Sequence, residues 1–275
     1  MDKPHFLTSD HVKLHVEIIG DPDKPLMVWN HGFTGSARNW RSTIRKLTDY
    51  RHLIFDMRGH ARSEAPTVAQ SYTLARLGQD ICELVEHFGQ GQKCTGVGLS
   101  LGSMALFQAV IAKPALFDKV VFSSLPNPTA DKGLTCNGAK FANAILHQGM
   151  EQAGEMYVWG PASGLSPQDA QLVKLGFLEH PAYAMAMLLQ HVLTQLPFAV
   201  SFADDLARSQ VPALLLYGEH DSAAEHFSQA IFNANNQPRQ TYTTLEIASI
   251  LRGGHLLNIT SATAFITHIE LFLKK

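Results

Sequence analysis

Ser100 lies in the stretch Gly98-Leu99-Ser100-Leu101-Gly102, a spacing suited to a nucleophilic hydroxyl. To attack a carbonyl, a hydroxyl must project from the backbone, stand near a base and face donors that take up the oxyanion charge. A sharp strand-to-helix turn gives the projection, and flanking glycines let strand and helix approach without side-chain clashes. The acid and the base should follow in that chain order, each on a loop after a later strand. Leu214-Leu215-Leu216-Tyr217 runs into Gly218-Glu219-His220-Asp221, so Asp221 sits past the end of a predicted strand. Glu219 is the competing acid, and Asp221 is preferred because Glu219 lies closer to the strand. Arg252-Gly253-Gly254-His255 then supplies a flexible loop that can swing a histidine over the sheet. The chemistry is acyl transfer, with Ser100 as nucleophile, His255 as general base and Asp221 orienting the imidazole.

Other readings of the glycines fit less well. Gly96 to Gly102 is one residue too long for G-x-G-x-x-G, and about twenty positions on, Lys119-Val120-Val121-Phe122 offers no ribose-binding acid. Gly164-Leu165-Ser166 lacks the closing glycine and continues into Pro167. The donors expected for the oxyanion are the amide of Leu101, at a helix start, and that of Phe33. Phe33 belongs to the loop His31-Gly32-Phe33-Thr34-Gly35-Ser36, where His31 is read as a structural histidine.

These residues need a sheet to hold them. Apolar runs predict strands over 26–29, 53–55, 94–97, 120–123, 214–217 and 242–247, after an opening hairpin within residues 6–19. Helical patterns fall over 36–47, 74–88, 101–111 and 262–273. Strand–helix–strand alternation implies parallel crossovers and an α/β fold with a mostly parallel, doubly wound sheet. Between Pro126 and Ala207 the alternation stops and helix-like pieces rich in Ala, Met, Leu and Gln follow. The expected organisation is a core domain of residues 1–125 and 208–275 with an inserted helical cap over 126–207.

Composition narrows the function classes. The 275 residues are 45% hydrophobic, with 22 basic against 24 acidic residues, and carry no Lys/Arg block to track a phosphate backbone. Nucleic acid and membrane are therefore not expected partners. The apolar window 182–200 is interrupted by Gln190, His191, Gln195 and Pro197, and reads as an amphipathic helix. Met1-Asp2-Lys3-Pro4-His5 offers no apolar leader, and Cys82, Cys94 and Cys136 form no C-x-x-C, so the expected location is the cytoplasm. None of the 14 histidines forms H-E-x-x-H, and no metal or other cofactor is expected.

Four motifs in order resemble the α/β-hydrolase superfamily with an inserted cap, over nearly the whole chain. His31-Gly32-Phe33-Thr34-Gly35 is similar to its oxyanion loop, and Asp56-Met57-Arg58-Gly59-His60-Ala61-Arg62-Ser63 to its D-x-R-G-x-G-x-S turn. Gly98 to Gly102 is similar to the elbow, and Gly218 to Asp221 with Gly254-His255 to the acid and base loops. Ala61, Ser103, Thr260 and Ala262 depart from the pattern without removing a catalytic group. Asp56, Arg58 and Ser63 are read as turn architecture.

The resemblance also excludes branches. Relatives that open epoxides or remove halides use an aspartate at the elbow, and the epoxide enzymes carry a proline after His-Gly-x; here those positions are Ser100 and Thr34. Lyases of menaquinone biosynthesis hold an anionic substrate with arginines, one of them four residues past the nucleophile, and that position is Met104. From Phe141 to Val200 the only Lys or Arg is Lys174, beside many Met and aromatic residues, most of them expected to pack the cap and a minority to face the site. The resemblance thus implies a serine esterase or lactonase whose partner is a neutral, partly apolar small-molecule ester or lactone. A carbon–carbon bond hydrolase or a lyase on the same scaffold, and a slow-turnover small-molecule receptor, stay open as alternatives.

Overall fold

The computed structural model describes residues 5–129, 134–163, 165–235 and 244–275. Its sheet comprises β1 (His5–Leu7), β2 (Lys13–Ile19), β3 (Leu26–Asn30), β4 (Arg51–Phe55), β5 (Cys94–Leu99), β6 (Phe117–Ser123), β7 (Ala213–Gly218) and β8 (Leu245–Ile250), in the order β1-β2-β4-β3-β5-β6-β7-β8. The hairpin β1–β2 joins β4 antiparallel, and every pair from β4 to β8 is parallel. The helices are α1 (Arg41–Ile44), α2 (Leu74–Phe88), α3 (Leu101–Ala112), α4 (Leu134–Gln148), α5 (Met150–Gly154), α6 (Pro167–Phe177), α7 (Ala182–Leu188), α8 (Ala199–Ser209), α9 (Ser222–Asn235), α10 (Leu257–Thr260) and α11 (Ala262–Leu273).

Every residue of β3 and β5 is buried, as a parallel strand covered on both faces requires. Successive side chains go to opposite faces. Met27 and Trp29 pack with Trp40, Ile44 and the α11 residues Phe265 and Ile269, while Val28 packs with the residues of α2, α3, α8 and α9. The chain runs from β3 outward to β4, then returns to place β5 on the other side of β3. That reversal opens a crevice at the carboxyl ends of β3 and β5, where an open α/β sheet binds its ligands. The loops after those two strands carry Phe33 and Ser100.

Several elements depart from the sequence reading. The helix expected over 36–47 is a tight turn at Ala37–Trp40 followed by the four residues of α1, because the Asp56 carboxylate accepts from the Ala37 amide (2.7 Å) and Trp40 is buried against Trp29. The last strand is Leu245–Ile250 rather than 242–247, pairing with β7 through Gly218↔Ile250; residues 242 and 243 lie outside the described ones. The single helix expected over 182–200 is α7, a π turn at Leu189–Leu193 and the start of α8, with Pro197 in the break. Inside the stretch 126–207, α8 packs on the sheet side: Phe202 stacks on Phe107 of α3 (3.7 Å, 11°) and meets Phe122 of β6 edge-on. Among the described residues no helix is long and apolar enough to cross a membrane.

Polar contacts tie the inserted helices to the core. Arg38 pairs with Glu179 (2.5 Å), the Tyr183 hydroxyl donates to the Ala65 carbonyl, and the Ala61 amide donates to His180 Nδ1 (2.9 Å).

Candidate active site

Ser100 occupies the turn between β5 and α3 with φ 53° and ψ −117°, a conformation that L-residues rarely adopt and that costs about 1–3 kcal/mol. The glycines are there for space. A Cβ on Gly98 would stand 2.5 Å from the Ser103 Cα, and one on Gly102 would stand 2.2 Å from the Asn30 carbonyl oxygen. The first turn of α3 therefore lies directly against the end of β3. The same closeness brings the loop after β3 to the serine, since a Cβ on Gly32 would meet the Ser100 Cβ at 3.4 Å.

On the far side of β5, the loops after β7 and β8 are stitched back to back. Their backbones bond through Glu219 N–H to Ile250 O (3.0 Å) and His220 N–H to Gly253 O (2.8 Å). Glu219 is used up in this seam, because its Oε2 accepts from the Arg252 amide (2.9 Å). Asp221 instead places Oδ2 2.6 Å from His255 Nδ1, while Oδ1 accepts from the Ala224 amide (3.3 Å) at the start of α9. This bond sets the proton on Nδ1 and leaves Nε2 as the basic nitrogen. Burial works against the charge on both groups, but the attraction and hydrogen bond between them prevail. The His255 imidazole is raised above its usual value and the Asp221 carboxyl is held below its own.

Ser100, Asp221 and His255 line one cavity of about 470 Å³, together with Phe33 and Thr34 from the β3 loop and Phe141, Met156 and Tyr157 from the inserted helices. The only acid among its described lining residues is Asp221, and no Lys or Arg is present. Arg38 and Arg58 stay outside it. Arg38 pairs with Glu179, and Arg58 is fully buried between Asp10 and Asp80 (2.8 and 2.7 Å). Among the described residues no group of three or more His, Cys, Asp or Glu could hold a metal ion.

The amides expected to face an oxyanion both sit at this crevice. Leu101 is the first residue of α3, where an N–H has no intrahelical acceptor. Phe33 is anchored on its other side by its carbonyl oxygen, 3.0 Å from His60 Nε2. His60 is buried between His31 and His180, with ring centres 4.9 and 5.0 Å away, and burial pushes it well below the usual imidazole value. His31 is structural: Nδ1 donates to the Gly32 carbonyl (2.8 Å) and Nε2 accepts from the Met57 amide (3.0 Å). Asp56 and Ser63 likewise serve the turn, Ser63 Oγ donating to the Asp56 carbonyl (2.5 Å). The sequence reading passed over His60 and His180, whose partners come from 27 and 119 residues away; its only signal was the placing of His60 in the Asp56–Ser63 turn. Asn127 and Asn137 also line the cavity unforeseen.

A strained serine at the β5–α3 turn, on a parallel sheet with inserted helices, defines the α/β-hydrolase fold. The family model described as "alpha/beta hydrolase fold" matches residues 25–143 of the chain. The chain is 30% identical to epoxide hydrolase 4 of Mus musculus over 119 residues, which is 43% of this chain and 33% of that protein. The chain spans less than half the length of the first curated relatives it matches. In structure it is similar to a carboxylesterase of the ammonia-oxidizing thaumarchaeon Nitrososphaera gargenis, with a TM-score of 0.85, 19% identity and 98% of both chains covered. The enol-lactonase of Burkholderia xenovorans LB400 superimposes with a TM-score of 0.79 at 19% identity, covering 99% of this chain and 100% of that one.

Proposed function

We propose that the protein hydrolyses a carboxylic ester or lactone of a neutral, partly apolar small molecule through an acyl-enzyme. One observation carries this reading: the hydrogen-bonded pair Asp221–His255 opens into the same cavity as the strained Ser100. In the first half, Ser100 Oγ attacks the ester carbon as His255 Nε2 takes its proton, and the Phe33 and Leu101 amides hold the oxyanion. His255 then passes that proton to the leaving alkoxide. In the second half, His255 takes a proton from water, the hydroxide attacks the acyl carbon, and the proton returns to Ser100 Oγ. No cofactor enters the balance.

Opening an epoxide does not suit a serine here. Attack by a carboxylate on an epoxide carbon yields an ester that water can cleave, whereas attack by Ser100 Oγ would yield an ether and a dead enzyme. The likeness to epoxide hydrolase 4 is therefore read as shared scaffold. The lyase alternative loses its anion-binding position, because Met104 is fully buried in α3. The helices within 126–207 act as the selecting cap. A phosphonate or sulfonyl fluoride is expected to label Ser100 and abolish activity, since its electrophilic centre is attacked and its oxygen occupies the oxyanion site. Peptide mapping that finds label only on Ser103 or Ser166 rejects the assignment.

The absence of Lys and Arg among the described lining residues sets the charge preference. A carboxylate carried into the cavity loses water and gains no ion pair, at a cost of several kcal/mol. Each methylene that fits contributes up to about 0.8 kcal/mol, so kcat/KM for p-nitrophenyl esters is expected to rise from acetate toward medium chains until the cavity fills. Butyrate is expected to outperform hemisuccinate at low and moderate ionic strength alike. A hemisuccinate preference that fades with salt would place a basic group at the site.

A further inference from the structure

The helix that begins at Met150 changes character at Glu155. Residues Glu155–Trp159 form a π turn, a rare geometry that occurs mostly as a single-turn bulge within an α-helix and is frequent at functional sites. Two glycines make room for it: a Cβ on Gly154 would stand 1.9 Å from the Trp159 ring, and one on Gly160 would stand 2.1 Å from the Glu155 carbonyl oxygen. The extra residue in the turn divides the side chains between two directions. Trp159 folds back onto Phe177 (5.7 Å, 65°), while Met156, Tyr157 and Val158 line the cavity.

Tyr157 is the ring in this set. One face lies on Phe141 (4.8 Å, 23°), which is buried and fixed in turn by Phe177 (5.9 Å, 26°) and by the edge of Phe33 (6.0 Å, 79°). Despite that backing, Tyr157 remains 36% exposed where it lines the cavity. Phe33, at the other end of this aromatic row, is the residue whose amide is assigned to the oxyanion. A row of aromatic rings thus runs from Phe33 through Phe141 to Tyr157, which is braced on one face by Phe141 and remains partly exposed.

Resting on the acyl-transfer reading above, we infer that the site is built for esters carrying an aryl group, with Tyr157 as the platform that selects it. Aromatic rings gain from offset-stacked or edge-on contact with one another beyond the area they bury, and a saturated ring does not. Apolar area alone favours the larger cyclohexyl group, so an aryl preference points to the ring face itself.

The test uses matched pairs on the full-length protein: methyl phenylacetate against methyl cyclohexylacetate, and benzyl acetate against cyclohexylmethyl acetate. Each kcat/KM is divided by the rate of the same ester in hydroxide, which removes intrinsic reactivity. The expected result is an aryl preference of roughly 3- to 10-fold in at least one pair. The aryl-to-cyclohexyl ratio should be retained by Tyr157→Phe and fall to near unity in Tyr157→Leu. Parity in both pairs for the wild type overturns the inference even if Tyr157→Leu does not fold, and so does an undiminished preference in a folded Tyr157→Leu. If Ser100 takes the phosphonate label but no ester in the set is cleaved, the aryl inference fails and acyl transfer stands. If neither occurs, the acyl-transfer reading fails and takes this one with it.

Discussion

Ser100→Ala is expected to lower kcat by on the order of 10⁶-fold, with His255→Ala close behind and the double variant barely worse. The non-additivity follows from the way the two groups share one proton: without the hydroxyl the base has nothing to activate, and without the base the hydroxyl stays protonated. The residual rate would come from the Phe33 and Leu101 amides and from substrate binding. Alanine keeps the Cβ and hence the backbone demands of the φ 53° turn, so the variant should fold like the wild type. Steady-state kinetics on p-nitrophenyl butyrate measure the loss, and near-normal turnover by Ser100→Ala would sink the serine mechanism.

Asp221→Asn is expected to cost about 10⁴-fold in kcat, as when a triad carboxylate elsewhere is made neutral and the imidazole takes the wrong tautomer. Glu219→Gln should change kcat only a few-fold, because its neutral amide oxygen can still accept from the Arg252 amide. The reverse ordering moves the acid to Glu219. The pH profile adds an independent readout. His255 acts as a base only when neutral, so activity is lost as pH falls through its pKa. Since Asp221 raises that pKa, the acid limb of kcat/KM should lie above the ordinary imidazole value of 6.5. In Asp221→Asn the raising influence disappears and burial is left to act alone, so the limb should move downward. A limb that stays in place would remove Asp221 from the pair.

The central elements could be read from the chain because their signals are local. The helix over 74–88 puts Leu77, Ile81, Leu84 and Val85 on one face and is capped by Thr73, whose side chain accepts from the Arg76 amide (3.1 Å). The positions of Ser100, Asp221 and His255 relative to strand ends followed from the same kind of signal. What escaped depends on contacts between distant parts. The π turn at Glu155–Trp159 exists because Trp159 covers Gly154, and no periodicity announces it. The end of β8 lies beyond the sequence reading because Ala248 and Ser249 carry little strand preference of their own and become strand by pairing with Leu216 and Tyr217. His60 gains its place behind Phe33 only once the loop after β3 and the turn after β4 are side by side.

The strands on either side of the inserted helices, β6 and β7, are hydrogen-bonded neighbours from Val120↔Ala213 to Ser123↔Leu216. The chain therefore leaves the sheet at one strand and re-enters it at the next, and the whole excursion is a swelling of one ordinary crossover. Residues can be gained or lost there without altering the register of any strand or the seats of Ser100, Asp221 and His255. On the proposed reading, substrate choice and bond-breaking thus sit on parts of the chain that can change at different rates. A lineage built on this plan can explore new molecules by lengthening, shortening or exchanging a single connection, while the reaction it performs on them stays the same.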